Sequence, residues 1–232
     1  MSSDRRDELA AGLAETERRI AAACAAAGRN RSEITLVAVT KTHPASDVDL
    51  LAELGVTDMG ENRHPEAGDK AREVQHAVRW HFLGGLQTNK AGAVARYADV
   101  VHSVDRVKLV NALSRGAESA GRTLTCLVQV DFDATDPGRA GAVPDDIGTV
   151  AGAIVTAPGL VLGGLMTVAP LGEDPAPHFE HLVRLSARLR ETHPDATIVS
   201  AGMSGDFEAA ITAGATHLRI GRSILGERPS SG

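Results

Sequence analysis

The strongest constraint in this chain is a repeated alternation. Short apolar runs rich in β-branched residues recur at Ile34–Thr40, Thr57–Met59, Val78–Leu83, Val100–Ser103, Leu124–Val130, Leu160–Met166, Thr197–Ser200 and His217–Ile220. Helix-like stretches separate them, beginning near Ser46, Pro65, Asn89, Arg106, Pro144, Pro175 and Ser204. The sequence thus reads as eight strands with seven intervening helices. Strands alternating with helices form parallel βαβ units. Strands that are apolar nearly throughout belong to a sheet covered on both faces. Eight such units in 232 residues fit a compact TIM-like α/β barrel, (β/α)8 in pattern. A doubly wound open sheet is the alternative. Against it, the first strand lacks the GxGxxG turn of a dinucleotide fold and runs instead into Thr40-Lys41-Thr42-His43-Pro44.

One helix precedes the alternation. From Asp4 to Ala27, Leu9, Leu13, Ile20 and Cys24 fall on one stripe, and Gly28 stops the helix. The expected layout is one domain over 1–232. Residues 1–28 form the extra N-terminal helix, 29–228 the barrel core and 229–232 a frayed tail.

Composition narrows the function. Aromatic residues make up only 3% of the chain, which argues against modules that stack bases on aromatic platforms. A net charge of −6 gives no overall attraction to nucleic acid or to an anionic membrane. A bound anion must therefore be held by a local site. Cys24 and Cys126 are far apart and read as buried, reduced thiols. The N-terminus is too acidic for a leader, and no run of eighteen apolar residues occurs. The expected compartment is the cytoplasm.

In a TIM barrel the chemistry sits at the C-terminal ends of the strands. There the first strand, LVAVTK, delivers Lys41 to the barrel mouth. A lysine in apolar surroundings has a lowered pKa, so its neutral form can attack an aldehyde and form a Schiff base. A lysine that merely leaves the strand and snorkels to water is the plainer reading. The last two strand ends carry Gly202-Met203-Ser204-Gly205 and Gly221-Arg222-Ser223, with Arg219 beside them. Ser204 reads as a helix N-cap, and a small-residue helix start is an anion site. Loops after strands seven and eight of TIM barrels often bind phosphate. Each glycine alone reads as an ordinary turn. Taken together, a Schiff-base lysine and a phosphate cradle suit a phosphorylated aldehyde.

The blocks LVAVTKTHPA, MGEN, WHFLGGLQTNK, HSVDR, GLMTV, SAGMSGDFEAAITAGATHLRIG and ILGER follow one another over nearly the whole chain. In this order they resemble the YggS/PROSC proteins, the pyridoxal 5′-phosphate (PLP) homeostasis family related to the alanine racemase N-terminal barrel. The resemblance implies PLP as a Schiff base on Lys41. It implies phosphate contacts from Ser204 and the Gly221 backbone, with Met203, Arg222 and Ser223 in the same loops. Arg219 is similar to the arginine that faces the pyridine ring, and Asn62 and His81 to pocket-lining residues. It further implies intracellular PLP homeostasis, with PLP-dependent apoenzymes as possible recipients, no metal and no catalytic residue, in a monomer or weak homodimer.

Three departures from the family pattern stand out. Arg222 replaces a small residue after the final Ile-Gly, Pro65 replaces a glutamine, and the 131–141 loop keeps Gly141 with Arg139 in the basic place.

Two other functions are open to the same residues. An amino-acid racemase needs a second base on the opposite face of the cofactor. The lone tyrosine, Tyr97, is expected near the opposite rim, and Arg219 beside the ring nitrogen disfavours a pyridinium electron sink. A PLP-free Schiff-base aldolase would use Lys41 directly on a sugar phosphate. His178 and His181 have i, i+3 spacing, which metal ligands can show, but a solvated helix face is the better reading.

Overall fold

The computed structural model describes residues 2–133 and 140–226. Arg139, the closing Glu227-Arg228 and the 229–232 tail lie outside the described residues. The eight strands are β1 (Thr35–Val39), β2 (Asp58–Glu61), β3 (Arg79–Phe82), β4 (Val100–Val104), β5 (Leu124–Val130), β6 (Leu160–Thr167), β7 (Ile198–Ser200) and β8 (His217–Ile220). Each pairs in parallel with the next, and β8 closes on β1 through Val37↔Arg219 and Ala38↔Ile220. The (β/α)8 barrel is therefore realised, and the open sheet is not.

Between the strands run α2 (Ala45–Glu53), α3 (Glu66–Glu73), α4 (Ala91–Val94), α5 (Val107–Ala120), α6 (Ile147–Thr156), α7 (Pro175–Thr192) and α8 (Phe207–Ala213). A four-residue turn, α9 (Arg222–Leu225), follows β8. The strands are two-layered, because successive side chains point to opposite faces. Leu218 and Ile220 of β8 bury outward under the helices, while Arg219 between them points into the barrel. The inward face is divided. Val100, Leu127 and Met166, with Val168 and Ile198 against them, fill one side with apolar atoms. Asp58, His81, His102, Ser200 and Arg219 fill the other with a hydrogen-bonded polar string.

The N-terminal helix, α1 (Ser2–Ala26), covers the last helices of the chain. Its stripe buries Leu9, Thr16, Ile20 and Cys24. At Gly12 a Cβ would stand 2.5 Å from the Ile224 carbonyl oxygen, so α1 and α9 touch backbone to backbone. Three arginines fasten the contact. Arg5 bonds Asp47 at 2.7 Å and the Leu225 carbonyl at 3.1 Å. Arg19 bonds Glu208 at 2.5 Å and lies over the Phe207 ring. Arg29 donates to the Ile211 and Ala215 carbonyls.

Two sequence expectations need correction here. His178 and His181 do not form a solvated face. Both are half-buried against the Phe132 ring, at centroid distances of 5.8 and 4.8 Å, where Phe132 itself packs on the hydrophobic core just past β5. Tyr97 is not at the opposite rim. Its ring stacks on His64 in the loop after β2, since a side chain at the end of a helix leans back towards that helix's N-terminus.

Candidate cofactor-binding site

Lys41 follows β1 in a tight turn, half-buried. The turn is clamped on both sides of it. The Thr40 N–H donates to the Gly60 carbonyl at 2.9 Å, and the Thr40 hydroxyl donates to Glu61 Oε1 at 2.7 Å. Lys70 of α3 donates to the Thr40 carbonyl at 2.8 Å and to Glu61 Oε1 at 2.5 Å. The Thr42 N–H donates to Glu66 Oε1 at 2.7 Å. Thr42 has φ +68°, a left-handed conformation that a β-branched residue rarely adopts. Such backbone costs about 1–3 kcal/mol and persists only where its surroundings over-determine it. Glu61 and Lys70 are buried almost completely, at 1% and 5% exposure. Burial pushes the Glu61 carboxyl above its ordinary range, against the pull of Lys70 and Thr40.

The opposite wall is made of backbone. After β7 the chain turns at Gly202, whose φ is +89° and whose Cβ would stand 2.9 Å from Phe207 Cα. After β8, a Cβ on Gly221 would stand 3.0 Å from the Val39 carbonyl, so this loop lies directly beside the strand that leads to Lys41. Ser204 and Ser223 are half-buried, and the Ser223 N–H points at the Ser204 hydroxyl at 3.5 Å. Ser204 is not the N-cap that its spacing suggests. Asp206 takes that position before α8, and its carboxylate accepts from the Met203 N–H at 2.5 Å. The Ser204 hydroxyl is thereby left to face the α9 loop. Met203 and Arg222 are exposed at this rim.

Arg219 lies between the two walls, on β8 next to β1. It donates from Nη1 to Ser200 Oγ at 2.7 Å and from Nη2 to the Thr167 carbonyl at 2.8 Å. Burial lowers its pKa to about 10, with Asp206 acting the other way, so it is still a cation at neutral pH. His81 points into the barrel, and both of its ring nitrogens are engaged there, with Asp58 and with His102. Asn62 is half-buried just past β2, and a Cβ on Gly84 would overlap its carbonyl oxygen at 2.0 Å. Gly84 thus lets the chain pass Asn62.

The architecture brings Lys41, Asn62, Arg219 and the two serine-bearing loops to one end of the barrel. Sequence reasoning missed Thr40, Lys70 and Glu66 as the clamp on Lys41, and His102 and Ser200 as supports of Arg219. Their only signal was position: Thr40 and Ser200 sit at strand ends without a role of their own.

Residues 13–229 match the family model for the alanine racemase N-terminal domain. The chain belongs to that family. The pyridoxal phosphate homeostasis protein of Mycobacterium tuberculosis is 40% identical, over 97% of this chain and 95% of that protein. PipY of Synechococcus elongatus, solved with PLP bound, is 31% identical and superposes with a TM-score of 0.82 over 94% of this chain and all of its own. The alanine racemase of Corynebacterium glutamicum shares the fold at 17% identity and a TM-score of 0.71, and this chain spans 62% of its length. Within the family, then, the chain groups with the homeostasis proteins over their full length. No helix among the described residues is long and apolar enough to cross a membrane.

Proposed function

We propose that this protein binds PLP through Lys41 and takes part in keeping intracellular PLP available, acting as a carrier without turnover of its own. The observation that carries the reading is the closeness of the two loops to the Lys41 strand: Gly221 packs against Val39, and Ser223 points at Ser204. The residues fit the group. A lysine at the mouth can meet an aldehyde. Two loops of small residues suit a phosphate. A buried arginine uses two of its five donors on the protein and has others for a ring nitrogen.

When bound, PLP supplies an aldehyde that combines reversibly with a primary amine. The chain's own residues then have distinct tasks. The Thr40–Glu61–Lys70 clamp fixes where Lys41 emerges. Ser204 and the Gly221, Arg222 and Ser223 segment hold the phosphate, with the Arg222 charge and the Ser223 hydroxyl in place of a smaller residue, and Met203 borders the same loop. Asn62 lines the pocket, and His81 acts from below through Arg219. Arg219 presents a fixed cation, which opposes protonation of the ring nitrogen and so weakens carbanion chemistry. Tyr97 is no second base, because burial raises its pKa and its ring is stacked on His64. PLP-dependent apoenzymes are the natural recipients.

The test is the visible absorbance of the purified protein, before and after borohydride, for the wild type and Lys41→Ala. A band that borohydride converts to a fixed adduct on Lys41, and that Lys41→Ala lacks, is expected. No band after addition of PLP to the wild type refutes the reading.

A further inference from the structure

The polar half of the barrel interior has a direction. Asp58 Oδ1 lies 2.8 Å from His81 Nε2, His81 Nδ1 lies 2.9 Å from His102 Nε2, and His102 Nδ1 lies 3.0 Å from Ser200 Oγ. Arg219 Nη1 completes the string at 2.7 Å from the same hydroxyl oxygen. Its two ends are chemically fixed: a guanidinium only donates, and a carboxylate only accepts. Asp58 is ionised, because burial pushes its carboxyl up but bonds from His81 and Thr57 bring it below the usual range.

A neutral imidazole has one donor and one acceptor. Burial holds both His81 and His102 below the ordinary histidine range, despite Asp58 beside His81. The proton positions then follow in sequence. His81 Nε2 carries hydrogen to meet Asp58, so its Nδ1 accepts. His102 Nε2 must therefore carry hydrogen, so its Nδ1 accepts as well. The Ser200 hydroxyl is its donor, and the Ser200 oxygen accepts from Arg219. Every donor points from the arginine towards the aspartate. The opposite order at His102 would require a doubly protonated His81, buried beside Arg79 and 6.3 Å from His217.

We propose that this one-way relay positions Arg219, which makes Ser200 and His102 positioning residues for the arginine and Asp58 its remote counter-charge. Asp58 stands at the far rim of the barrel. There it lines a cavity of about 370 Å3 with Glu17, Arg31 and Thr57. The relay thus ties the arginine beneath the cofactor site to a carboxylate at the other mouth. As a statement about cofactor binding it rests on the reading of Arg219 given above; as a statement about protons it does not.

The first experiment uses PLP-free protein with 15N-labelled histidine at neutral pH. Long-range proton–nitrogen spectra are expected to show His81 and His102 both as neutral Nε2–H tautomers. A Nδ1–H tautomer at His102, or a doubly protonated His81, overturns the relay. In Ser200→Ala, the His102 Nδ1 resonance is expected to move to that of an unbonded ring nitrogen; no movement overturns the Ser200 link.

The second experiment measures PLP release from loaded protein. Release is expected to be about tenfold faster in Ser200→Ala, about 1.4 kcal/mol. A smaller rise is expected in Asp58→Asn, at the rim where folding is least at risk. Unchanged release in both variants overturns the positioning role. A wild type that takes no PLP refutes the cofactor reading instead, and leaves the tautomers to be judged by themselves.

Discussion

The two walls of the candidate site are held by opposite means. The Lys41 wall depends on side-chain charge: a buried lysine and a buried glutamate meet at 2.5 Å and grip the turn through Thr40. The Ser204 wall depends on the absence of side chains, since Gly202 and Gly221 lie where a Cβ would meet backbone at 2.9 and 3.0 Å. The difference has a physical reason. A lysine that must be aimed needs a rigid turn, and an ion pair with excellent geometry can hold one even with strained φ. A phosphate needs backbone N–H groups at close range, and side chains would only obstruct them.

If that contrast is right, the walls break in different ways. The largest effect is expected at Lys70→Met, which leaves the Glu61 carboxylate buried and unpaired. Removing one partner of such a pair costs about 3–5 kcal/mol. Urea unfolding should show this loss, and adding Glu61→Gln should restore most of it. Equal losses in the single and double variants would mean that charge is not what matters there. Next comes Gly202→Ala, at about 3 kcal/mol, from overpacking against Phe207 and Ala210 together with an L-residue at positive φ. No second substitution of charge should rescue it.

The interior beneath both walls gives the most gradual effect, through pH. His81, His102 and His217 are all held neutral by burial, His217 with its pKa lowered to about 4. The unfolded chain protonates these rings near pH 6.5, and the folded chain does so only at lower pH. Stability is therefore complete above about pH 6.5 and falls as pH drops towards 4, by at most about 1.4 kcal/mol per pH unit for each ring. Urea midpoints between pH 7 and 5 should fall more steeply than for a His217→Asn variant. An equal slope would mean that His217 titrates as it does in the unfolded chain.

The order of elements and the closed barrel were legible in the sequence alone. Every apolar run from Ile34 to Ile220 overlaps a strand of the barrel, because burial on both faces leaves an unmistakable pattern. The place of Lys41 just past the first strand was legible too, but not its role, since a lysine there can equally snorkel to water. The stripe on α1 showed that the helix packs, through Leu9, Ile20 and Cys24, but not that it packs on α8 and α9.

What the tertiary structure decided is everything that depends on which distant residues meet. Ser204 looked like a cap until Asp206 was found to take that position. Tyr97 looked remote until its ring lay on His64. Lys70 reads as one more surface charge on α3, and only the fold shows that it reaches Glu61 and the Thr40 carbonyl. Asp58, His81, His102, Ser200 and Arg219 come from five separate strands, and no spacing along the chain links them. Periodicity records which face of an element is buried. The hydrogen bonds made on that face are set by the closure of the barrel, which brings together residues far apart in the chain, 98 positions for His102 and Ser200.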